Sequence, residues 1–140
     1  MDVEFKYDCQ GIDWQMIADM LARVGMTHFD PQLHRKAFEN SAVTVFVYHA
    51  KQLIGFGRAI SDDAYQAAIY DVVVAPEFQR KGLGNTIIDT ILTRLPSCNI
   101  ILYASPGKEG FYEKHGLRKM KTGMARFTNA DRMKARGFTE

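Results

Sequence analysis

The stretch from Ala68 to Leu95, AIYDVVVAPEFQRKGLGNTIIDTILTRL, constrains this chain more than any other. A β-branched run, Val72, Val73 and Val74, stops at Pro76. A short basic turn follows, Gln79-Arg80-Lys81-Gly82-Leu83-Gly84. Leu83, Ile87, Ile91 and Leu95 then recur at steps of four, with Ile88 and Leu92 beside them, which gives one wide apolar stripe on a helix. The three pieces predict a buried strand, a tight turn and a helix N-terminus in direct succession. Gly82 and Gly84 lack a Cβ, so the backbone can turn sharply and approach a ligand closely. The first N–H groups of a helix have no partner within it, and its dipole adds partial positive charge there, a combination that favours phosphate. Arg80 and Lys81 add mobile charge at the same place. An ordinary strand–loop–helix connection would need the same glycines only for turning. The turn is neither common nucleotide signature: it lacks the Gly-Lys-Ser/Thr ending of a P-loop, and Thr86 and Ile87 stand where a dinucleotide fingerprint would end.

A length of 140 residues fits a single domain over 1–140, and 46% hydrophobic residues suffice for a packed core. The net charge of +2 is too small to argue for nucleic acid. Its distribution is uneven. Residues 108–140 carry nine Lys/Arg against four Asp/Glu, net +5, while residues 1–107 carry nine against twelve, net −3. The basic part would suit a phosphate-rich ligand and the acidic part a cationic one, although a solvated surface gives the same asymmetry. Cys9 and Cys98 share no metal or redox spacing, so no metal site is expected and neither thiol is assigned a role. No run is long and apolar enough to span a membrane, and MDVEFKYDCQ has no basic-then-apolar leader pattern; a cytoplasmic protein without membrane partners is expected.

The remaining elements follow from periodicity and turn chemistry. Residues 3–7 alternate and predict a short strand. Asp13 can cap a helix from Trp14 to about Val24, ended by Gly25. Asp30-Pro31 starts a second helix that stops near Asn40. Three strands then form an antiparallel meander, over residues 43–48, 53–60 and 65–74; Gly55 and Gly57 suggest a bulge or bend in the second. After the helix of residues 84–95, residues 99–104 form a strand parallel to the one ending at Val74, because a β-α-β crossover makes it so. A short helix from Glu109 to His115, strands at 117–121 and 124–127, and a polar, fraying tail after Asn129 complete the chain.

This order of elements, with VVVAPEFQRKGLG and the distal ASPGKEGFYEKHGLRKM, resembles the GCN5-related N-acetyltransferase (GNAT) family. The first segment matches the family's strand and Gln/Arg-x-x-Gly-x-Gly/Ala turn, and the second its aromatic pair on a short helix. The resemblance implies an α+β fold with a mixed sheet of about seven strands, a splayed parallel pair and flanking helices. It implies acetyl-CoA as co-substrate. Backbone N–H groups of Arg80, Lys81, Gly82, Leu83, Gly84 and Asn85 would hold the pyrophosphate, and backbone groups of Val72, Val73 and Val74 the pantetheine amides. Ser105 stands where relatives often have a cofactor-contacting Asn, a departure that a hydroxyl could meet. Tyr112 matches the tyrosine that gives a proton to the leaving thiolate; it also reads as an amphipathic residue packed on the sheet. Phe111 reads as packing, and Lys114 as a phosphate neighbour or a solvated lysine.

The attacking amine must lose a proton, and no residue matches the family's base unambiguously. Asp71 is the candidate, since an ionisable group inside an apolar strand is costly unless it is paired or used; Tyr70, Glu109, His28 and His49 stay open. By the same resemblance, residues 14–40, with Met26, His28, Phe29 and His34, would set acceptor specificity; their aromatic and Met side chains read equally as core, and for most of them core is the favoured reading. A small-molecule amine is the expected acceptor. A protein lysine or N-terminus is the alternative within enzymes, and a non-catalytic acyl-CoA sensor the alternative outside them. Late strands pair two copies in many relatives, and residues 124–127 offer that edge here.

Overall fold

In a computed structural model describing residues 1–140, the chain divides into two compact units, Met1–Leu102 and Tyr103–Glu140. The first holds β1 (Glu4–Lys6), α1 (Trp14–Arg23), α2 (Pro31–Glu39), β2 (Val43–His49), β3 (Gln52–Ser61), β4 (Gln66–Val74), a 3-10 turn (Pro76–Phe78), α3 (Leu83–Thr93) and β5 (Asn99–Ile101). Its five strands lie in chain order, antiparallel from β1 to β4, with β5 parallel to β4 as the crossover requires.

Both early helices start where their caps predict. The Asp13 carboxylate accepts from the Gln15 and Met16 N–H groups at 3.1 and 3.3 Å, and the Asp30 carboxylate from Gln32 N–H at 2.9 Å, with Pro31 as first helical residue. Each cap satisfies donors that the helix cannot. Trp14, Ile17, Met20 and Leu21 of α1 are buried, and Phe38 of α2 has no exposed surface. Phe38 forms the centre of an aromatic cluster, 5.6 Å from Trp14, 5.5 Å from Phe46 of β2 and 5.9 Å from Phe56 of β3, ring centre to ring centre.

The opposite face of the sheet takes α3. Side chains alternate along a strand, so the neighbours of Phe56 on either side, Gly55 and Gly57, face the other way. A Cβ on Gly57 would stand 2.8 Å from Ile87 Cγ2 and 3.3 Å from Ile91 Cδ1; one on Gly55 would stand 3.0 Å from the Val73 carbonyl oxygen. Val45 and Val47 lie opposite these glycines in the ladder and are fully buried. The missing side chains let Ile87 and Ile91 settle directly on the strand. The expected bulges are also present. Ile54 is extra on β3 between Val47 and Tyr48, and β4 carries an extra residue opposite Gly57.

The second unit departs from the sequence reading. It contains two short helices, α4 (Glu109–Glu113) and α5 (Ala130–Ala135), and no strand. The strands expected at 117–121 and 124–127 are absent, and the sheet has five strands rather than about seven; these segments find no neighbour to form a ladder with. The strand expected over residues 99–104 stops at Ile101. Instead of fraying, the tail is helical and held by Met133, which is 5% exposed. It ends in a Schellman motif: Phe138 N–H donates to the Met133 carbonyl and Gly137 N–H to that of Lys134, both at 3.0 Å, with Gly137 at φ +86°. Tyr103 meets Phe127 and Phe138 edge-on at 5.3 and 5.9 Å and gives this unit an aromatic centre. No helix is long and apolar enough to cross a membrane.

The glycine clearance is open to test. Gly57→Val should cost about 3 kcal/mol or more by overpacking against Ile87 and Ile91. Gly110→Ala, whose added Cβ meets nothing within 4 Å, should be neutral or stabilise by up to about 1 kcal/mol. Thermal unfolding of the two variants side by side would check this, and equal midpoints would contradict it.

Candidate active site

β4 forms two different edges. Toward β3 it is paired along most of its length. Toward β5 the pairing covers only Gln66, Ala67 and Ala68, opposite Asn99, Ile100 and Ile101. From Ile69 to Val74 the strand continues without a ladder on that side, so its N–H and C=O groups there have no β5 partner. Val72, Val73 and Val74 all lie in this part. The Val73 side chain is buried in the aromatic core, while Val72 and Val74 reach the α3 face beside Gly57 and Gly55. The side chains are thus committed to packing on both faces, and recognition at this edge falls to the main chain.

The bulge sits at the start of the open part. Phe56 pairs with Val73 and Arg58 with Tyr70, so Asp71 and Val72 together oppose Gly57. Asp71 adopts φ +56°, a left-handed conformation that Asp tolerates better than most residues. Its carboxylate accepts a hydrogen bond from Arg58 Nε at 2.8 Å, with the two side chains only 21% and 15% exposed. Arg58 is further held by Ser41 Oγ at 3.4 Å and lies against the rings of Phe38 and Tyr70. Arg58 is the site residue that the sequence reading missed; a lone cation within GFGRAI, in an otherwise apolar strand, was its signal.

Beyond β4 the chain is fastened before it turns. Ala75 N–H donates to the Ile54 carbonyl at 2.8 Å, and the Gln79 side-chain amide donates to the Val74 carbonyl at 2.9 Å. Arg80 and Gly82 both take positive φ, +63° and +83°. Gly82 occupies the N-cap position of α3 without any side-chain cap, and the first bond into the helix runs from Thr86 N–H to the Gly82 carbonyl at 3.1 Å. The Leu83 and Gly84 N–H groups therefore lie at an end with no intrahelical acceptor. Arg80, Lys81, Gly82 and Asn85 are exposed, Gly84 is half-buried, and the Leu83 side chain is buried and anchors the turn. A Cβ built on Gly82 meets nothing within 4 Å, so the space before the turn is open. An open, uncapped, basic helix end following a strand edge that β5 leaves outside its ladder fits a ligand that joins a pyrophosphate to an amide-bearing arm.

The second unit carries the other candidates. Tyr112 lies on α4, half-buried and edge-on to Phe111 at 5.0 Å. Burial pushes its phenol above the usual value of 10, so it stays protonated at neutral pH. Ser105 is exposed, and its carbonyl accepts from Lys108 N–H at 2.9 Å in the loop before α4. Backbone N–H groups, its own and those of Gly107 and Lys108, lower the Glu109 carboxyl from its usual value, which weakens it as a base. In the first unit, His49 is engaged at the sheet end, its Nδ1 2.7 Å from the Asp2 carbonyl oxygen and its ring against Phe78.

Comparison with known proteins bears on the whole. A family model described as acetyltransferase (GNAT) domain matches residues 15–127. GCN5-related N-acetyltransferase 1, chloroplastic, of Arabidopsis thaliana is 31% identical over 77% of this chain. Serotonin N-acetyltransferase 2, chloroplastic, of Oryza sativa subsp. japonica is 34% identical over 76% of it. The chain spans little more than half the length of these relatives, 57% of each. A GNAT-family acetyltransferase of Streptococcus pneumoniae has the same fold, with a TM-score of 0.77 over 91% of this chain and 99% of that one at 19% identity.

The Arg58–Asp71 pair makes a stability prediction. Arg58→Met should destabilise by about 3 kcal/mol, because it leaves the Asp71 carboxylate unpaired in a largely buried place. Adding Asp71→Asn should return part of that loss, a coupling of about 1 kcal/mol or more in a double-mutant cycle read by urea unfolding.

Proposed function

The chain belongs to the GNAT acetyltransferase family, and from that premise we propose that it moves an acetyl group from acetyl-CoA to the primary amine of a small molecule. The observation that carries this reading is the unladdered edge of β4 from Ile69 to Val74, running directly into the uncapped turn at Gly82. The chemistry is attack of an amine nitrogen on a thioester carbonyl, with formation of a C–N bond, loss of the C–S bond and departure of a thiol.

Each group of this chain has a part in that scheme. The N–H groups of the turn from Arg80 to Asn85 hold the pyrophosphate, with Arg80 and Lys81 adding charge. Main-chain donors and acceptors of Val72, Val73 and Val74 align the pantetheine arm as a further strand. An N–H group on the open side of this edge would also face the charge that grows on the carbonyl oxygen, and such a fixed donor favours the transition state over the ground state. Ser105 Oγ adds a polar contact. Tyr112 gives its phenolic proton to the departing sulfur; a phenol that stays neutral in the resting protein carries that proton at working pH. Asp71, at the bulge where the open edge begins, takes up the proton lost by the amine, and Arg58 fixes its orientation.

A small amine is favoured over a protein acceptor by the name of the rice relative, which acts on serotonin. Phe29, just ahead of α2, and Leu33, in its first turn, also display apolar surface, 52% and 49% exposed, suited to an amine that bears an apolar or aromatic body.

Free-thiol release from acetyl-CoA, followed over a panel of aryl and alkyl amines, tests the reading directly. Thiol release with at least one amine is expected; donor binding without release under every acceptor would leave a sensor instead. Gly82→Val forces a β-branched residue into a left-handed conformation and should weaken coenzyme A binding at least about tenfold. Unchanged affinity would remove the pyrophosphate assignment. Tyr112→Phe should lower turnover by about 100-fold while leaving the donor dissociation constant near wild type; full activity in that variant would end its role as acid.

A further inference from the structure

The start of α2 contains a contact for which the scheme above has no use. Asp30 caps the helix, so Phe29 stands one residue before the cap and His34 at the fourth helical position. Those two positions commonly hold an apolar pair that fixes the angle at which the chain joins a helix. The rings of Phe29 and His34 do meet, 5.7 Å apart and tilted. A hydrogen bond is added to the packing: Phe29 N–H donates to His34 Nε2 at 2.9 Å. The imidazole is only 4% exposed. A ring nitrogen that accepts from an N–H carries no proton, so the imidazole is neutral and its proton sits on Nδ1. Leucine would make the apolar contact equally well, but it could not accept this bond and could not titrate.

We propose that His34 is a positioning residue for the acceptor side of the protein, a latch that fastens the connection between α1 and α2 through the Phe29 N–H while neutral and releases it when protonated. The proposal rests on the reading of the chain as an amine acetyltransferase whose acceptor lies against that connection. Residues 26–30 have neither helix nor strand of their own, and the Met26 N–H bond to the Leu21 carbonyl belongs to the end of α1. Asp30 ties the last residue of the connection to α2 through its cap, and the bond to His34 extends that hold back to Phe29. Two exposed apolar residues lie at this bond: Phe29, its donor, and Leu33 of α2, next in sequence to His34.

The groups facing the ring set when the latch opens. Asp71 of β4 and Asp30 of the connection favour the imidazolium; Arg58 of β3 and His28 oppose it. Burial is the largest influence and holds His34 below its ordinary 6.5. The neutral form is therefore the folded one at neutral pH. As pH falls below about 6.5 the unfolded chain binds the proton first, and stability is lost progressively as pH approaches the lowered value of His34. Above 6.5 this group makes no pH-dependent contribution. An imidazolium would also face Asp71 beside Arg58, so opening the latch disturbs the ion pair at the bulge.

Two substitutions separate the latch from plain packing. His34→Leu keeps the apolar contact and removes the acceptor; His34→Gln supplies an oxygen that can accept the Phe29 N–H and does not titrate. Amide hydrogen exchange at Phe29, measured on the protein alone at pH 7.5 and 5.5 and corrected for the intrinsic pH dependence, should show about three- to tenfold less protection in His34→Leu than in wild type at pH 7.5. Wild type should fall toward the leucine variant at pH 5.5, and His34→Gln should stay protected at both. In turnover, His34→Leu should raise KM for the amine several-fold with kcat and KM for acetyl-CoA unchanged, and His34→Gln should restore it. Equal Phe29 exchange in wild type and the leucine variant, or a wild-type amine KM in that variant, would overturn the proposal. Should His34→Leu not fold, wild type against His34→Gln across the two pH values decides the same point: a protection loss confined to wild type supports the latch, and parallel behaviour refutes it. The exchange arm needs no turnover, so an amine panel without thiol release would defeat the acetyl-transfer reading while leaving the latch to be decided by exchange.

Discussion

Ile87 rests on the bare backbone of Gly57, and the rest of the first unit is placed by that contact. A helix cannot approach a strand so closely over an ordinary residue, since a Cβ at Gly57 would stand 2.8 Å from the isoleucine side chain. With α3 seated on β3, the connection from the end of β4 at Val74 to the start of α3 at Leu83 is held between two fixed elements. Leu83 is pulled into the core as the first helical residue, while the polar turn just before it is left outside. Phe56, between the two glycines, does the reverse and binds the aromatic cluster under α1 and α2. One tripeptide of β3, Gly55-Phe56-Gly57, thus registers the helices on both faces of the sheet.

The bulge in β4 depends on the same place. Asp71 and Val72 share a single partner, Gly57, which has no side chain to resist the crowding. The extra residue turns Asp71 into the left-handed region and brings its carboxylate onto Arg58. Ser41, Phe38 and Tyr70 surround that guanidinium, so the pair is tied to α2 and the sheet at once. Pairing, packing and backbone conformation agree at this position, which is what keeps an ionised residue in a largely buried strand tolerable.

Much of this was legible in the sequence, and the parts that were not share a cause. The strand–turn–helix core, both Asp caps, the meander and the parallel crossover follow from local signals that act within a few residues. The glycines of β3 were read as a bulge or bend. Bulges do occur beside them, but the stronger reason for the glycines is clearance for a helix thirty residues later in the chain. Asp71 was recognisable as paired or used; that Arg58 is its partner depends on strand register across a bulge, which no local pattern encodes. Over residues 117–121 and 124–127 strands were expected where no ladder forms. The tail misled in the opposite sense: its polar composition hid Met133, one buried side chain, and the Gly137 that closes the helix behind it.

The side-chain amide of Gln79 holds the carbonyl of Val74 and so ties the turn back to the strand it leaves. A loop fixed in this way loses its conformational freedom when the protein folds rather than when a ligand arrives. For the ligand proposed above, little rearrangement would then stand between encounter and capture, and the rate of capture would be governed by diffusion and by the field of Arg80 and Lys81. A polyanion drawn in by such exposed charge would associate more slowly as salt is added, while the grip of a backbone already in place, expressed in the rate of escape, would change far less.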